Sequence, residues 1–244
     1  MGSRLALARL ARSFAERALH LRAESATDQA PLDRPSRVQL QILVQASNQL
    51  RIIELAAERG FALRAFGSAA TLYELVSALA YIRGDAAKAA QWFAHTDSRH
   101  TFPPTAERKT GIGFMLAATG TPAREIEAGV RAWEDLHKTF CVAKHGNPVL
   151  LRNYGVGADG KQLKLHIGPI SGGFSDELAR RALYHGSQLV ADASFLAAIP
   201  LVGSKQVAVR RFKRAWRRIR DRFKKLTPEQ AEQRWRLVLP ASLR

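Results

Sequence analysis

The sequence predicts an all-α protein, an up-and-down helical bundle with one inserted β-hairpin and a basic C-terminal helix. Three observations predict it. Apolar residues recur at three- and four-residue spacing through most of the chain, as at Val209, Phe212, Trp216, Ile219 and Phe223. Caps and breakers such as Gly60, Gly84-Asp85 and Thr121-Pro122 divide these runs into helix-length pieces. Only one stretch, about 149–168, alternates in the manner of strands.

Residues 4–24 carry a helical stripe of Leu7, Leu10, Phe14, Ala18 and Leu21 with five arginines interspersed, so an amphipathic N-terminal helix is expected there. Glu16 and Glu24 argue against a transit peptide. Pro31 to Pro35 reads as a linker. Ser36 is placed to cap a helix to about Arg59, which Gly60 closes. The next helix, about Phe61 to Arg83, is nearly all apolar from Ala69 to Ile82 and belongs at the centre of the bundle. Asp85 caps a shorter helix to about His95, and the stretch to Pro104 is a loop.

A weaker helix, Ala106 to Thr119, is interrupted by Gly111 and Gly113. Thr121-Pro122 then opens a long helix to about Lys144, with Glu125 and Glu127 suiting its positive N-terminus and Gly146 and Pro148 ending it. Ala158-Asp159-Gly160 between two strand-like runs predicts the hairpin, with Leu163, Leu165 and Ile167 on its packed face. Ser175 caps a helix to Ile199, stopped by Pro200. The last long helix, about Ser204 to Lys225, sets its aromatic stripe against eleven Lys and Arg, and Thr227 starts a short final helix. The expected division is an N-terminal helix and linker over 1–35, the bundle over 36–202, and a basic extension over 203–244.

The chain has 244 residues, 46% hydrophobic and 24% charged, enough to bury a sizeable core. No apolar run approaches the length that spans a bilayer, so no transmembrane segment is expected. A single cysteine excludes an internal disulfide and suits a reducing cytoplasm. The net charge of +17 is the unusual feature. Residues 203–244 hold fourteen Lys and Arg against three acids, about +11 of that total. Such a surface predicts a polyanionic partner, RNA above all. The candidate contacts are Arg210, Arg211, Lys213, Arg214, Arg217, Arg218 and Arg220. A lesser alternative lays the Val209–Phe223 stripe on an anionic membrane.

Chemistry concentrates in Trp133 to Tyr154. Glu134, Lys138, Cys141 and His145 are spaced 4, 3, 4 and share one helix face, beside a core face of Trp133, Leu136, Phe140 and Ala143. His145, at a helix C-terminus that favours imidazolium, is the candidate general acid and base, with Lys138 as the anion-holding cation. Glu74, in the apolar run Leu72-Tyr73-Glu74-Leu75-Val76, completes the candidate set. Burial would require a partner, with Lys138, Arg64 and His145 as the options. His137, Cys141 and His145 at i, i+4, i+8, with His166 on the hairpin, form a zinc alternative without Cys-x-x-Cys or His-Glu-x-x-His. No metal and no cofactor is therefore expected, and Cys141 reads as packing. No nucleophile elbow accompanies a serine.

Ala69-Ala70-Thr71-Leu72-Tyr73-Glu74-Leu75 with Tyr81-Ile82, then Trp133, Leu136 and His145-Gly146-Asn147-Pro148, then Gly168-Pro169, follow one another in an order that resembles the HEPN-like superfamily (higher eukaryotes and prokaryotes nucleotide-binding), in particular its uncharacterised bacterial helical bundles. The resemblance spans about Ser36 to Ile199. It implies RNA as partner, a homodimer, and a metal-independent ribonuclease of toxin or phage-defence type with an antitoxin or defence-system partner. In such ribonucleases an arginine and a histidine stand on one helix with four to six residues between them. His145 matches the histidine, and Lys138 stands in the arginine's place. Lysine lacks the bidentate fork that arginine offers a phosphate. Ala70 stands where many related bundles carry an arginine one turn before the glutamate. The alternative is a non-catalytic binding or dimerisation module with a basic arm.

Overall fold

A computed structural model describes residues 1–26, 31–96, 102–145, 156–159, 162–165, 173–199 and 207–226. Among these are eight helices: α1 Gly2–Glu24, α2 Arg34–Glu58, α3 Ala62–Ile82, α4 Ala86–Ala94, α5 Thr105–Ala118, α6 Ala123–Lys144, α7 Gly173–Ala198 and α8 Val207–Leu226. The molecule is an all-α bundle, as its 3.6-residue periodicity dictates. Between α6 and α7, Val156–Asp159 and Gln162–Leu165 pair antiparallel, with Val156 opposite Leu165 and Asp159 opposite Gln162. The remainder of the 149–168 segment, the side chains of these eight residues, and the expected helix after Thr227 lie outside the described residues.

Several helix starts differ from the sequence reading, each for a local reason. Asp33, not Ser36, caps α2: its carboxylate accepts from the Ser36 N–H at 2.9 Å. The Ser36 hydroxyl instead accepts from the buried Arg22 guanidinium. Pro35 therefore lies in the first turn of α2 rather than in a linker, a position where its missing N–H costs nothing. Asp85 does cap α4, accepting from the Ala87 and Lys88 N–H groups. At α6 the cap position belongs to Pro122, without a side-chain bond. Helix α7 begins at Gly173, two residues before Ser175.

Helix α3 is the centre of the bundle, contacting α2, α5, α6 and α7. Leu72, Tyr73, Val76, Leu79 and Ile82 are fully buried along it. It is 21 residues long and apolar enough to cross a bilayer by length and composition, which the sequence reading did not anticipate. Its most apolar stretch is 78% buried by neighbouring helices, the environment of a core helix.

The terminal helices share this core. Leu7, Ala8, Ala11, Phe14, Ala15 and Ala18 of α1 are buried in the same cluster as α2, α3 and α7. Polar contacts fasten α1 as well: Arg12 and Arg51 both reach the fully buried Glu54 at 2.8 Å. In α8 the stripe is spent on the bundle, with Val209, Phe212, Trp216, Ile219 and Phe223 all buried. Phe212 stacks on Phe14 at 4.3 Å and Trp216 on Phe195 at 4.9 Å. Packing thus runs continuously from α1 to α8, in place of a bundle with two appendages. The apolar face that membrane insertion of α8 would need is occupied by α1 and α7.

Candidate functional site

The polar residues of α6 divide between inside and outside. Trp133, Glu134, His137 and Phe140 are buried, which is one helical face. Glu134 and Lys138 are about 40° apart on the helix, and the boundary of the buried face falls between them. Lys138 is largely exposed and bonds Asp135 at 2.9 Å, not Glu134. Glu134 turns inward because two buried donors await it. Its Oε1 accepts from the Tyr73 hydroxyl at 2.7 Å and from Arg108 Nε at 3.2 Å, and its Oε2 accepts from Arg108 Nη2 at 3.3 Å.

This clamp joins α3, α5 and α6. Burial works against the Glu134 carboxylate, but the bonds from Arg108 and Tyr73 outweigh it and hold its pKa below the ordinary value. Burial and the Glu134 carboxylate together push the Tyr73 hydroxyl up. On Arg108, burial is likewise outweighed by Glu134, so its pKa rises.

One turn further along α6, a second cluster faces Glu74 of α3. Lys144 Nζ lies 3.0 and 2.9 Å from the two Glu74 oxygens. His137 Nε2 lies 3.3 Å from Glu74 Oε1 and 3.4 Å from Cys141 Sγ. The imidazole also stacks on Tyr73, centroid to centroid 4.6 Å at 23°. Close approach of the two helices makes the cluster possible: a Cβ on Gly67 would sit 3.1 Å from the Lys144 backbone nitrogen. Burial opposes ionisation of Glu74, yet hydrogen bonds from His137 and Lys144 bring its pKa below the ordinary carboxylate value. For His137 burial opposes the charge, and the bonds to Cys141 and Glu74 raise its pKa nonetheless.

Of the expected trio, Glu74 is brought to α6, but Lys138 and His145 are not among its partners. His145 is the exposed C-cap of α6, its N–H bonded to the Cys141 carbonyl at 3.0 Å. The residues that do meet Glu74 are His137 and Lys144. Lys144 escapes a sequence reading that takes His137, Cys141 and His145 at four-residue steps, although a 4, 3 step reaches it equally well. Arg108 and Tyr73 carry no spacing signal, because they come from other helices. His166 lies outside the described residues.

A different assembly forms where α8 lies on α1. A groove of about 490 Å³ has Phe14 and Ile219 among its lining, with Arg17 of α1 and Arg211, Arg214, Arg218 and Arg222 of α8 around it. The four α8 arginines are spaced 3, 4, 4 and fall within about 80° of helix face. Among the described residues no carboxylate lines the groove, and none of the five arginines is ion-paired.

Of the candidates read from sequence, Arg211, Arg214 and Arg218 line the groove. Arg210 and Arg217 are exposed on a neighbouring face, and Lys213 is half-buried. Arg220 turns away: it is half-buried, and its Nη1 would lie 3.0 Å from a Cβ on Gly120. It lines a separate cavity with Asp192. Arg17 and Arg222 were missed as contacts, Arg17 because its helix reads as an appendage until packing places it beside α8. Comparison of the chain with known protein families, with curated proteins and with solved structures finds no match in any of the three.

Proposed function

We propose that the chain is an RNA-binding, HEPN-like helical bundle that holds a single-stranded backbone along the α1–α8 groove. The observation that carries this reading is the five-arginine groove, whose guanidinium groups have no ion-pair partner among the described residues. Docking α8 by its aromatic stripe fixes its register against α1, so the arginines stand on a rigid element. Guanidinium groups offer phosphate two parallel donors, and their charge attracts any polyanion through counterion release. Successive arginines three or four residues apart rise about 4.5–6 Å along the helix, so several phosphates of one strand are in reach together.

Binding does not require catalysis, and the geometry supports binding better. Lys138 is occupied by Asp135, and Glu74 by Lys144 and His137. A metal-independent ribonuclease would rest on His145, and the homodimer and antitoxin partner rest on the resemblance alone. One experiment addresses both readings. Labelled single-stranded RNA is titrated with the full chain in EDTA, using wild type, the triple variant Arg211→Gln/Arg214→Gln/Arg218→Gln, and His145→Ala. Loss of binding in the triple variant with intact RNA throughout supports the binding reading. Cleavage that disappears in His145→Ala would support the enzyme reading, and binding unaffected by the triple variant would refute the groove.

A further inference from the structure

We propose that Glu74, His137 and Cys141 form a zinc-binding site between α3 and α6. A carboxylate oxygen, an imidazole nitrogen and a thiol sulfur converge there, all within 4.8 Å of one another. The inference is independent of the RNA-binding groove.

Two of the three ligand–ligand distances are those of a coordination tetrahedron. Tetrahedral zinc with its nitrogen and oxygen ligands at about 2.05–2.1 Å and its sulfur at about 2.3 Å separates N from O by about 3.4 Å and N from S by about 3.6 Å. His137 Nε2 lies 3.3 Å from Glu74 Oε1 and 3.4 Å from Cys141 Sγ. The third edge, oxygen to sulfur, is at most 4.8 Å. It closes to the tetrahedral value with a side-chain movement of about 1 Å. One nitrogen already faces both other ligand atoms, so no helix has to move.

The surroundings hold the ligands in place. His137 and Cys141 are one helical turn apart on α6, which fixes their relative position. The imidazole plane is set by its stack on Tyr73, whose own hydroxyl is tied to Glu134 at 2.7 Å. Arg108 in turn anchors Glu134, so the clamp described above acts as an outer support for the ligand ring. Lys144 bonds both Glu74 oxygens, Oε1 at 3.0 Å and Oε2 at 2.9 Å, so the ion would displace it from Oε1 while its bond to Oε2 remains. Outer donors to a ligating carboxylate are a regular feature of metal sites.

The ligands alone match the charge of the ion. Zinc carries +2, the Cys141 thiolate and Glu74 carboxylate supply −2, and His137 binds as the neutral imidazole. Coordination releases the thiol proton, together with the imidazole proton where His137 is charged. A nitrogen, a sulfur and an oxygen suit zinc better than magnesium or calcium, which prefer all-oxygen sets. Three protein ligands leave a fourth position for a small molecule, the arrangement of open rather than closed zinc sites.

The test uses the full, untagged chain, with Co²⁺ as a spectroscopic substitute for zinc. One equivalent should produce tetrahedral cobalt bands and a near-ultraviolet thiolate-to-cobalt charge-transfer band, both removed by one equivalent of Zn²⁺. Cys141→Ala should abolish the charge-transfer band, and Glu74→Gln should weaken binding by more than about 100-fold, beyond the usual loss of an outer partner. Circular dichroism of both variants checks that they fold. Absence of the charge-transfer band in wild type, its survival in Cys141→Ala, or an affinity unchanged by Glu74→Gln in a folded protein would each overturn the assignment. Substitution of the groove arginines leaves the cobalt spectrum as it is, so this test fails or succeeds apart from the RNA-binding one.

Discussion

Asp192→Asn should stabilise this protein in a pH-dependent way. Asp192 is a buried α7 carboxyl in a cavity of about 210 Å³, with Thr119, Thr121, Tyr184, Gln188, Trp216 and Arg220 among its neighbours. Burial pushes its pKa from 3.8 up to about 7, against a smaller opposing pull from Arg220. In the unfolded chain the group titrates near its ordinary value, so between about pH 4 and 7 the folded state holds a proton that the unfolded state has lost. Stability from this group is therefore fully present below about pH 4 and lost as pH rises through about 7. About three pK units correspond to about 4 kcal/mol. Asparagine keeps the shape and never ionises, so the variant should match wild type near pH 4 and exceed it by about 4 kcal/mol near pH 8. Urea unfolding at both pH values measures the difference. Comparison with wild type cancels the opposite trend from His185, which burial lowers to about 3 and which destabilises the fold as pH falls. Equal differences at the two pH values would refute the reasoning.

Four further substitutions probe the packing and the clamp. Glu134→Ala strands the Arg108 guanidinium in the core and should cost about 3–5 kcal/mol in urea unfolding, with Arg108→Leu added to it restoring part of the loss. Lys138→Ala, on the exposed side of the same helix, should leave the unfolding curve unchanged. Gly67→Val brings side-chain atoms against the Lys144 backbone and should cost about 1–3 kcal/mol, with loss of the Glu74–Lys144 bond visible by NMR. Trp216→Ala removes a side chain stacked between Phe14 and Phe195 and should cost about 3–5 kcal/mol, read as a lowered denaturation midpoint.

The helices are legible in the sequence because each buries one periodic stripe, and periodicity survives without knowledge of the neighbour. Val209 to Phe223 is the clearest case, and all five stripe residues are buried. Helix starts are less legible where two cap residues compete. Asp33 and Ser36 are both good caps, and only the presence of Arg22, fourteen residues away, shows that the Ser36 hydroxyl has another partner. The candidate site is legible in position and misread in membership. Glu74 and the α6 helix come together, but spacing along one helix says nothing of what the facing helix presents. His137, three residues after Glu134 and four before Cys141, is spaced for the same helix side as Lys138, which is four after and three before. It gains its place from Tyr73 and Glu74, 64 and 63 residues earlier in the chain. The groove is hidden for the same reason, since Arg17 and Arg218 become neighbours only when α1 and α8 pack.

The salt dependence of single-stranded RNA affinity tests the central claim most directly. Each arginine–phosphate contact contributes a slope of about −0.7 in log K against log salt, so five give about −3.5. Between about 50 mM and about 200 mM salt the wild-type affinity should fall about 130-fold. The Arg211→Gln/Arg214→Gln/Arg218→Gln variant retains Arg17 and Arg222, and its affinity should fall only about sevenfold over the same range. A wild-type slope near zero, or the same steep slope in both proteins, would contradict the account.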